Sequence, residues 1–225
     1  MSVDLLAKAS AFDGTEPYNR QVLSGLVGID WVQTLIARGY GWGIEVGNFD
    51  TGITGGGAGT VIDLDQPEFG VSVPSGYTLV PFDVKIVARP GLQTTDSHVT
   101  DILLAVDRTA AWAGDGTVTS ETAVNLRTNT ASGCPATCFS AATADITDPV
   151  LGAISLDRRS LLTDVQGTAA TVNLMELKLD YQPIRPPFLV GPCAMYGYWG
   201  GSIAVVGFAQ VNFLVIPSTL ITGLS

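Results

Sequence analysis

From Thr60 onward, apolar side chains recur at every second position. The clearest run is 79–89, where Val80, Phe82, Val84 and Ile86 fall on one face and Pro81, Asp83 and Lys85 on the other. Residues 101–107 repeat the pattern with Ile102, Leu104 and Val106, and residues 208–216 with Val211, Phe213 and Val215. In 171–181 the phase shifts near Met175, which predicts a bulge, after which Leu177, Leu179 and Tyr181 alternate with Glu176, Lys178 and Asp180. Further strands are predicted at 60–65, 69–73, 117–127, 136–146 and 194–206. Turn residues divide them at Pro74 to Gly76, Pro90-Gly91, Gly114 to Gly116 and Gly200-Gly201. Many short strands with such punctuation predict an all-β sandwich or barrel. Its inward residues are expected to be Val80, Phe82, Val84, Ile86, Leu104, Leu177, Leu179 and Phe213.

Residues 1–58 read differently. Between Tyr18 and Arg38 the apolar positions Val22, Leu26, Ile29, Val32 and Ile36 recur three or four apart, which predicts a helix with one apolar stripe. Gly39 is its expected stop. Gly25 and Gly28 each weaken a helix by up to about 1 kcal/mol, so the helix is expected to need a docking partner. Glycines then crowd 39–43, around Trp42, and 55–59. The expectation is an assembly arm over 1–58 with a Gly-rich hinge, followed by a β-sandwich over 59–225. Val22, Leu26, Ile29, Val32, Ile36 and Trp42 are its candidate interface residues.

Composition sharpens this picture. Hydrophobic residues make up 46% of the chain but charged ones only 14%, well below the roughly 25% usual in soluble domains. Much of the surface is therefore expected to be hidden in contacts between subunits, and self-association, as a trimer, is expected. The net charge is −10, and the densest basic spot is the pair Arg158-Arg159. Direct binding of nucleic acid, which needs clustered Lys and Arg, is not expected. No apolar window is long and uncharged enough to predict a membrane span. The amino terminus lacks a basic segment followed by an apolar one, which suggests synthesis and assembly inside a cell.

Candidate chemistry is sparse. His98, the single histidine, sits in a stretch that reads as a surface loop, and no G-x-S-x-G elbow accompanies it. Asp63, Asp65 and Glu68 alternate as on a solvated strand edge, with a Ca²⁺ site on Asp63 and Asp65 as the alternative. The glycines at 55–59 lack the Lys-Ser/Thr of a phosphate cradle. Tyr196 and Tyr198 share one face and Trp199 takes the other, as core packing or as a sugar platform. Cys134, Cys138 and Cys193 allow free thiols, a disulfide closing the 134–138 loop, or a metal ligand set. No catalytic constellation and no cofactor site is expected.

Two segments resemble jelly-roll virion proteins of bacterial viruses. One runs from Val71 through the Pro74–Gly76 turn to Ile86. The other pairs Gly191–Trp199 with Gln210–Ser218, a strand led by Gly-Pro, a Gly-rich turn and a strand ending in Pro-Ser. The resemblance implies a single jelly roll of eight main strands in two facing sheets, commonly assembled as trimers. It implies a capsid or capsid-decorating (cement) subunit, contacting itself and other capsid proteins within a virion. Many capsid proteins that touch the genome carry a basic amino-terminal arm. Here Lys8, Arg20 and Arg38 are set against Asp4, Asp13, Glu16 and Asp30. That departure favours a subunit on the outside of a shell, or a shell lined by membrane or another protein. The alternative from a different class is a carbohydrate-binding or adhesin module.

Overall fold

The computed structural model describes residues 31–56, 62–90, 97–131, 133–151, 155–163 and 176–222. It is a β-sandwich of two antiparallel sheets. In chain order the strands are β1 (Gly41–Val46), β2 (Ile53–Thr54), β3 (Phe69–Val73), β4 (Tyr77–Pro90), β5 (His98–Asp107), β6 (Thr117–Glu121), β7 (Val124–Asn125), β8 (Thr137–Ala144), β9 (Asp157–Thr163), β10 (Leu177–Tyr181), β11 (Leu189–Val190), β12 (Cys193–Gly201) and β13 (Val205–Pro217). Helix α1 (Trp31–Ala37) precedes them and α2 (Thr219–Thr222) follows.

The first sheet has the order β10-β4-β13-β1-β7, with β2 paired to β13 and β11 to β4; the second has the order β6-β8-β3-β12-β5-β9. Eight strands carry the frame. They pair as β1 with β13, β3 with β12, β4 with β10 and β5 with β9, always antiparallel. First thus pairs with last, second with second-last, and so inward to the middle. That is one long two-stranded ribbon folded up, and it closes where β13 meets β4 and β12 meets β5. The segment between β5 and β9 returns to the opposite side. There β7 pairs with β1, β8 with β3 and β6 with β8. It covers the backbone edges that β1 and β3 would otherwise expose.

The main core lies between the sheets. Phe69, Val71 and Val73 from β3, Ile102, Leu104 and Val106 from β5, and Met195 and Trp199 from β12 face Ile86, Val211, Phe213 and Val215 of the first sheet. The insertion adds a second core on the far side of the second sheet, where Phe139, Ala142 and Ile146 cover Ala105, Tyr196 and Tyr198. With both faces covered, all nine residues of β12 are buried.

Three expectations are corrected here. First, the body begins well before residue 58. Trp42, Ile44 and Val46 alternate into the core, and β1 lies between β13 and β7. Gly41 and Gly43 are close-approach positions. A Cβ on Gly41 would lie 2.7 Å from Ile36 of α1, and one on Gly43 would lie 2.7 Å from the Asn212 side chain. Second, Val80 and Phe82 face outward, beneath α1, with Val32, Leu214 and Ile216. A bulge at Phe82 is the cause: Pro81 pairs with Phe213 and Asp83 with Asn212, leaving Phe82 without an opposite number. Val84 and Ile86 recover the inward phase, as do Leu104, Leu179 and Phe213; Leu177 is half-buried against the same core. The phase shift expected near Met175 lies outside the described residues. Third, of the strand expected at 60–65, the described residues 62–65 form none and turn at Leu64 and Asp65, and β9 arises where no strand is predicted.

Candidate assembly surface

Helix α1 lies across the outer face of the first sheet. Val32 is buried there on Val80, Leu214 and Ile216, and Leu35, Ile36 and Tyr40 pack around it. Its stop falls where the sequence places it. Gly39 adopts φ +89°, its N–H donates to the Ile36 carbonyl, and the Tyr40 N–H donates to the Leu35 carbonyl. That is a Schellman closure, which favours glycine at the left-handed position. Asn125 of β7 donates from Nδ2 to the Gly39 carbonyl at 2.8 Å, fixing the helix end to the insertion.

The candidate interface residues therefore separate. Val32 and Ile36 are spent on the chain's own sheet, and Trp42, 5% exposed, belongs to the main core. Val22, Leu26 and Ile29 lie outside the described residues. The hinge expected at 55–59 is pinned where it is described. The Gly55 N–H donates to the Val205 carbonyl at 2.8 Å, and the Gly56 N–H to Glu68 Oε1 at 2.5 Å. A Cβ on Gly55 would fall 2.1 Å from the Trp199 carbonyl oxygen, so this contact admits only glycine.

The sequence did not single out the surface beside the start of α1. Strand β10 leaves β4 after Tyr181, and β11 joins it only from Leu189, so residues 80–83 of β4 have no neighbour on that side. Pro81, which has no N–H to offer, occupies this gap. Residues 182–188 span it. Gln182 donates to Asp83 Oδ1 at 2.9 Å, and Asn212 donates to Asp83 Oδ2 at 3.1 Å. Between this loop and α1 runs a groove of about 340 Å³, lined by Trp31, Val32, Phe82, Pro183, Ile184 and Pro186 and by the polar Gln33, Asp83 and Gln182. Trp31 stacks on Phe188, with ring centroids 5.5 Å apart. Ile184 is 96% exposed. A proline in a central strand was the available sign of the gap; the exposure of Ile184 has none, because it follows from tertiary placement.

A second groove of about 340 Å³ lies on the same sheet, lined by Glu45, Phe49, Lys85, Val87, Phe208 and Gln210 among others. The Arg89 guanidinium sits 4.4 Å from the centre of the Phe49 ring and 5.6 Å from that of Phe208.

The remaining candidates are occupied in the fold. His98 is not on a surface loop: it opens β5 and is 6% exposed. Tyr196, Tyr198 and Trp199 are buried, the two tyrosines beneath the insertion and Trp199 in the main core, so they form no exposed platform. Cys134, Cys138 and Cys193 are free thiols. Burial pushes all three upward, Cys134 to about 11 and Cys193 to about 12, which leaves them as unreactive thiols at neutral pH. Asp63 and Asp65 adjoin Asp145 and Asp148. Burial, then Asp148, Asp63 and Asp145, raise the Asp65 carboxyl above its usual range. Among the described residues no three His, Cys, Asp or Glu side chains, these aspartates included, are placed to hold one metal ion.

Two carboxylates act as fasteners. Glu68, 3% exposed, accepts from Gly56 through Oε1 and from the Trp199 N–H through Oε2 at 2.8 Å. It ties the chain around Gly56 to the middle of β12. Asp107 accepts from the Thr109 N–H and hydroxyl and the Ala110 N–H through Oδ1, and from the Val150 N–H through Oδ2 at 2.9 Å. It gathers both ends of the insertion at one carboxylate. Burial pushes Asp107 up, but these hydrogen bonds outweigh it and hold the carboxyl below its ordinary value. Among the described residues no helix is long and apolar enough to cross a membrane. Compared with known proteins, the chain matches no family model, no curated protein and no solved structure.

Proposed function

We propose that this chain is a virion structural protein, a capsid or capsid-decorating subunit that works by contacts with copies of itself and with other shell proteins. The observation that carries this reading is the order of the eight frame strands. First-with-last pairing of a folded ribbon is the jelly-roll arrangement, which serves in capsids, lectins and cupins. A cupin-type metal centre would call on histidines, and this chain has one. A lectin reading loses its best aromatic group, since Tyr196, Tyr198 and Trp199 are buried. The charge-poor composition and the exposed apolar face at Ile184 support a role in subunit contacts. With a net charge of −10, the partner is protein rather than genome.

The test is fractionation of infected cells on a density gradient with an antibody to this chain. Co-sedimentation with assembled particles is the expected result, and recovery only in the slow soluble fraction would overturn the reading. One observation favours the carbohydrate-binding alternative, the Phe49–Arg89–Phe208 cluster beside the second groove. Specific binding on a glycan array, lost on Phe49→Ala, would establish it.

A further inference from the structure

We infer that the groove between Phe49 and Lys85 is a binding site for a neutral saccharide. The inference goes beyond the shell role; it rests on the carbohydrate reading and names its ligand class and contact residues. Phe49 is 63% exposed, more than any other aromatic ring among the described residues. It is nevertheless held in place. It sits at the tip of the turn between β1 and β2, where the Asn48 N–H donates to the Thr51 carbonyl at 3.0 Å and Asn48 Oδ1 accepts from the Asp50 and Thr51 N–H groups. The Arg89 guanidinium donates to the Phe49 carbonyl and lies over the ring, 4.4 Å from its centre. Phe208 meets the ring edge-on, with centroids 6.4 Å apart. Arg89 covers one face of the ring and does not line the groove, whereas Phe49 does, so the open face of the ring is the groove's wall. A ring fixed from behind needs little further ordering when a ligand lies on it.

Strand register builds the rest of the site. Glu45 pairs with Gln210 and Gln210 with Lys85, so the three side chains stand in one row across β1, β13 and β4. All three are exposed. Phe208 pairs with Val87 in the next outward row and supplies an apolar floor. The ligand class follows from the chemistry of these walls. A pyranose ring has a face of C–H groups, which packs on an aromatic face, and an edge of hydroxyls. Those hydroxyls donate to a carboxylate and exchange hydrogen bonds with an amide. Glu45 and Gln210 are placed to serve, since neither side chain takes a hydrogen bond or ion pair among the described residues. The cations nearby are engaged, Lys85 with Asp83 at 3.8 Å and Arg89 with Phe49. Glu45 is thus the unpaired charge of the groove, and it repels an acidic ligand such as a sialylated or phosphorylated sugar. A neutral saccharide meets no such cost. The volume of about 340 Å³ stands at the small end of the roughly 300–1,000 Å³ usual for ligand clefts, which suits a short saccharide.

The test is an array of neutral and sialylated oligosaccharides probed with the full chain, as wild type and as the single variants Phe49→Ala and Glu45→Ala. Both side chains are exposed, so each variant is expected to keep the wild-type circular dichroism and melting midpoint. Wild type is expected to bind neutral members and to pass over the sialylated ones. Each folded variant is expected to bind the same members roughly tenfold more weakly. No binding to any saccharide overturns the inference together with the carbohydrate reading. Binding only to sialylated members, or binding that both folded variants keep at wild-type strength, leaves the carbohydrate reading standing and overturns this site. Particle incorporation is scored apart from this. A chain that occurs in particles yet binds no saccharide keeps the shell role and loses the site.

Discussion

Replacing Glu68 with Gln probes a carboxyl buried between the Gly56 and Trp199 backbones. Burial pushes its carboxyl up to about 8, and Asp63 adds to this, while the hydrogen bonds from Gly56 and Trp199 pull the other way. A group raised in the fold contributes stability that is complete below its unfolded value near 4.5 and is lost as pH climbs through its folded value. Wild type should therefore lose stability between pH 4.5 and 8. At about 1.36 kcal/mol per pH unit, a rise from 4.5 to about 8 corresponds to a loss on the order of 5 kcal/mol. The Gln variant cannot ionise. Its amide nitrogen faces either the Gly56 or the Trp199 N–H, leaving that donor unpaired at a cost of about 1–3 kcal/mol. At pH 5 the variant should be the weaker protein; by pH 9 the gap should close or reverse. Urea unfolding followed by tryptophan fluorescence, at matched pH for both proteins, gives the difference directly and cancels the titration of the other acids. A constant difference from pH 5 to pH 9 would refute the reasoning.

Other perturbations test separate parts of the frame. Gly197→Ala places a methyl 1.9 Å from the Phe69 ring, which is fully buried, and should destabilise by roughly 1–3 kcal/mol or more in chemical denaturation. Trp42→Ala should cost about 3–5 kcal/mol, as for a core aromatic; a loss under 1 kcal/mol would return Trp42 to a surface role. Phe82→Ala, on the half-buried outer face, should cost clearly less than Trp42→Ala in the same assay. Asp107→Ala should free both ends of the insertion, seen as faster amide exchange at Thr109, Ala110 and Val150. Because the Asp107 carboxyl is held low, its contribution is present above the ordinary carboxylate range and is lost as pH falls through the depressed value.

The sandwich was legible because its strands alternate. Ile102, Leu104 and Val106, or Val211, Phe213 and Val215, keep one phase from end to end and reach the core as read. Strand β4 was half legible: Pro81 marked an irregularity, but period-two reading carried straight through the bulge and put Val80 and Phe82 on the wrong face. Strand β1 was hidden by its glycines. Trp42, Ile44 and Val46 alternate correctly, yet Gly41 and Gly43 between them look like hinge residues until α1 and Asn212 are seen pressed against them. Strand β9 carries Arg158, Arg159 and Ser160 in succession and shows no apolar phase, as suits a charged edge. The groove beside α1 joins residues 31–33, 82–83 and 182–186, and no local pattern could bring those three segments together.

Averaged electron cryomicroscopy of purified viral particles is the direct test of the proposed shell role. Density for the two-sheet body is expected at symmetry-related positions of the shell. Complete, well-resolved shells with no density for this sandwich would contradict it.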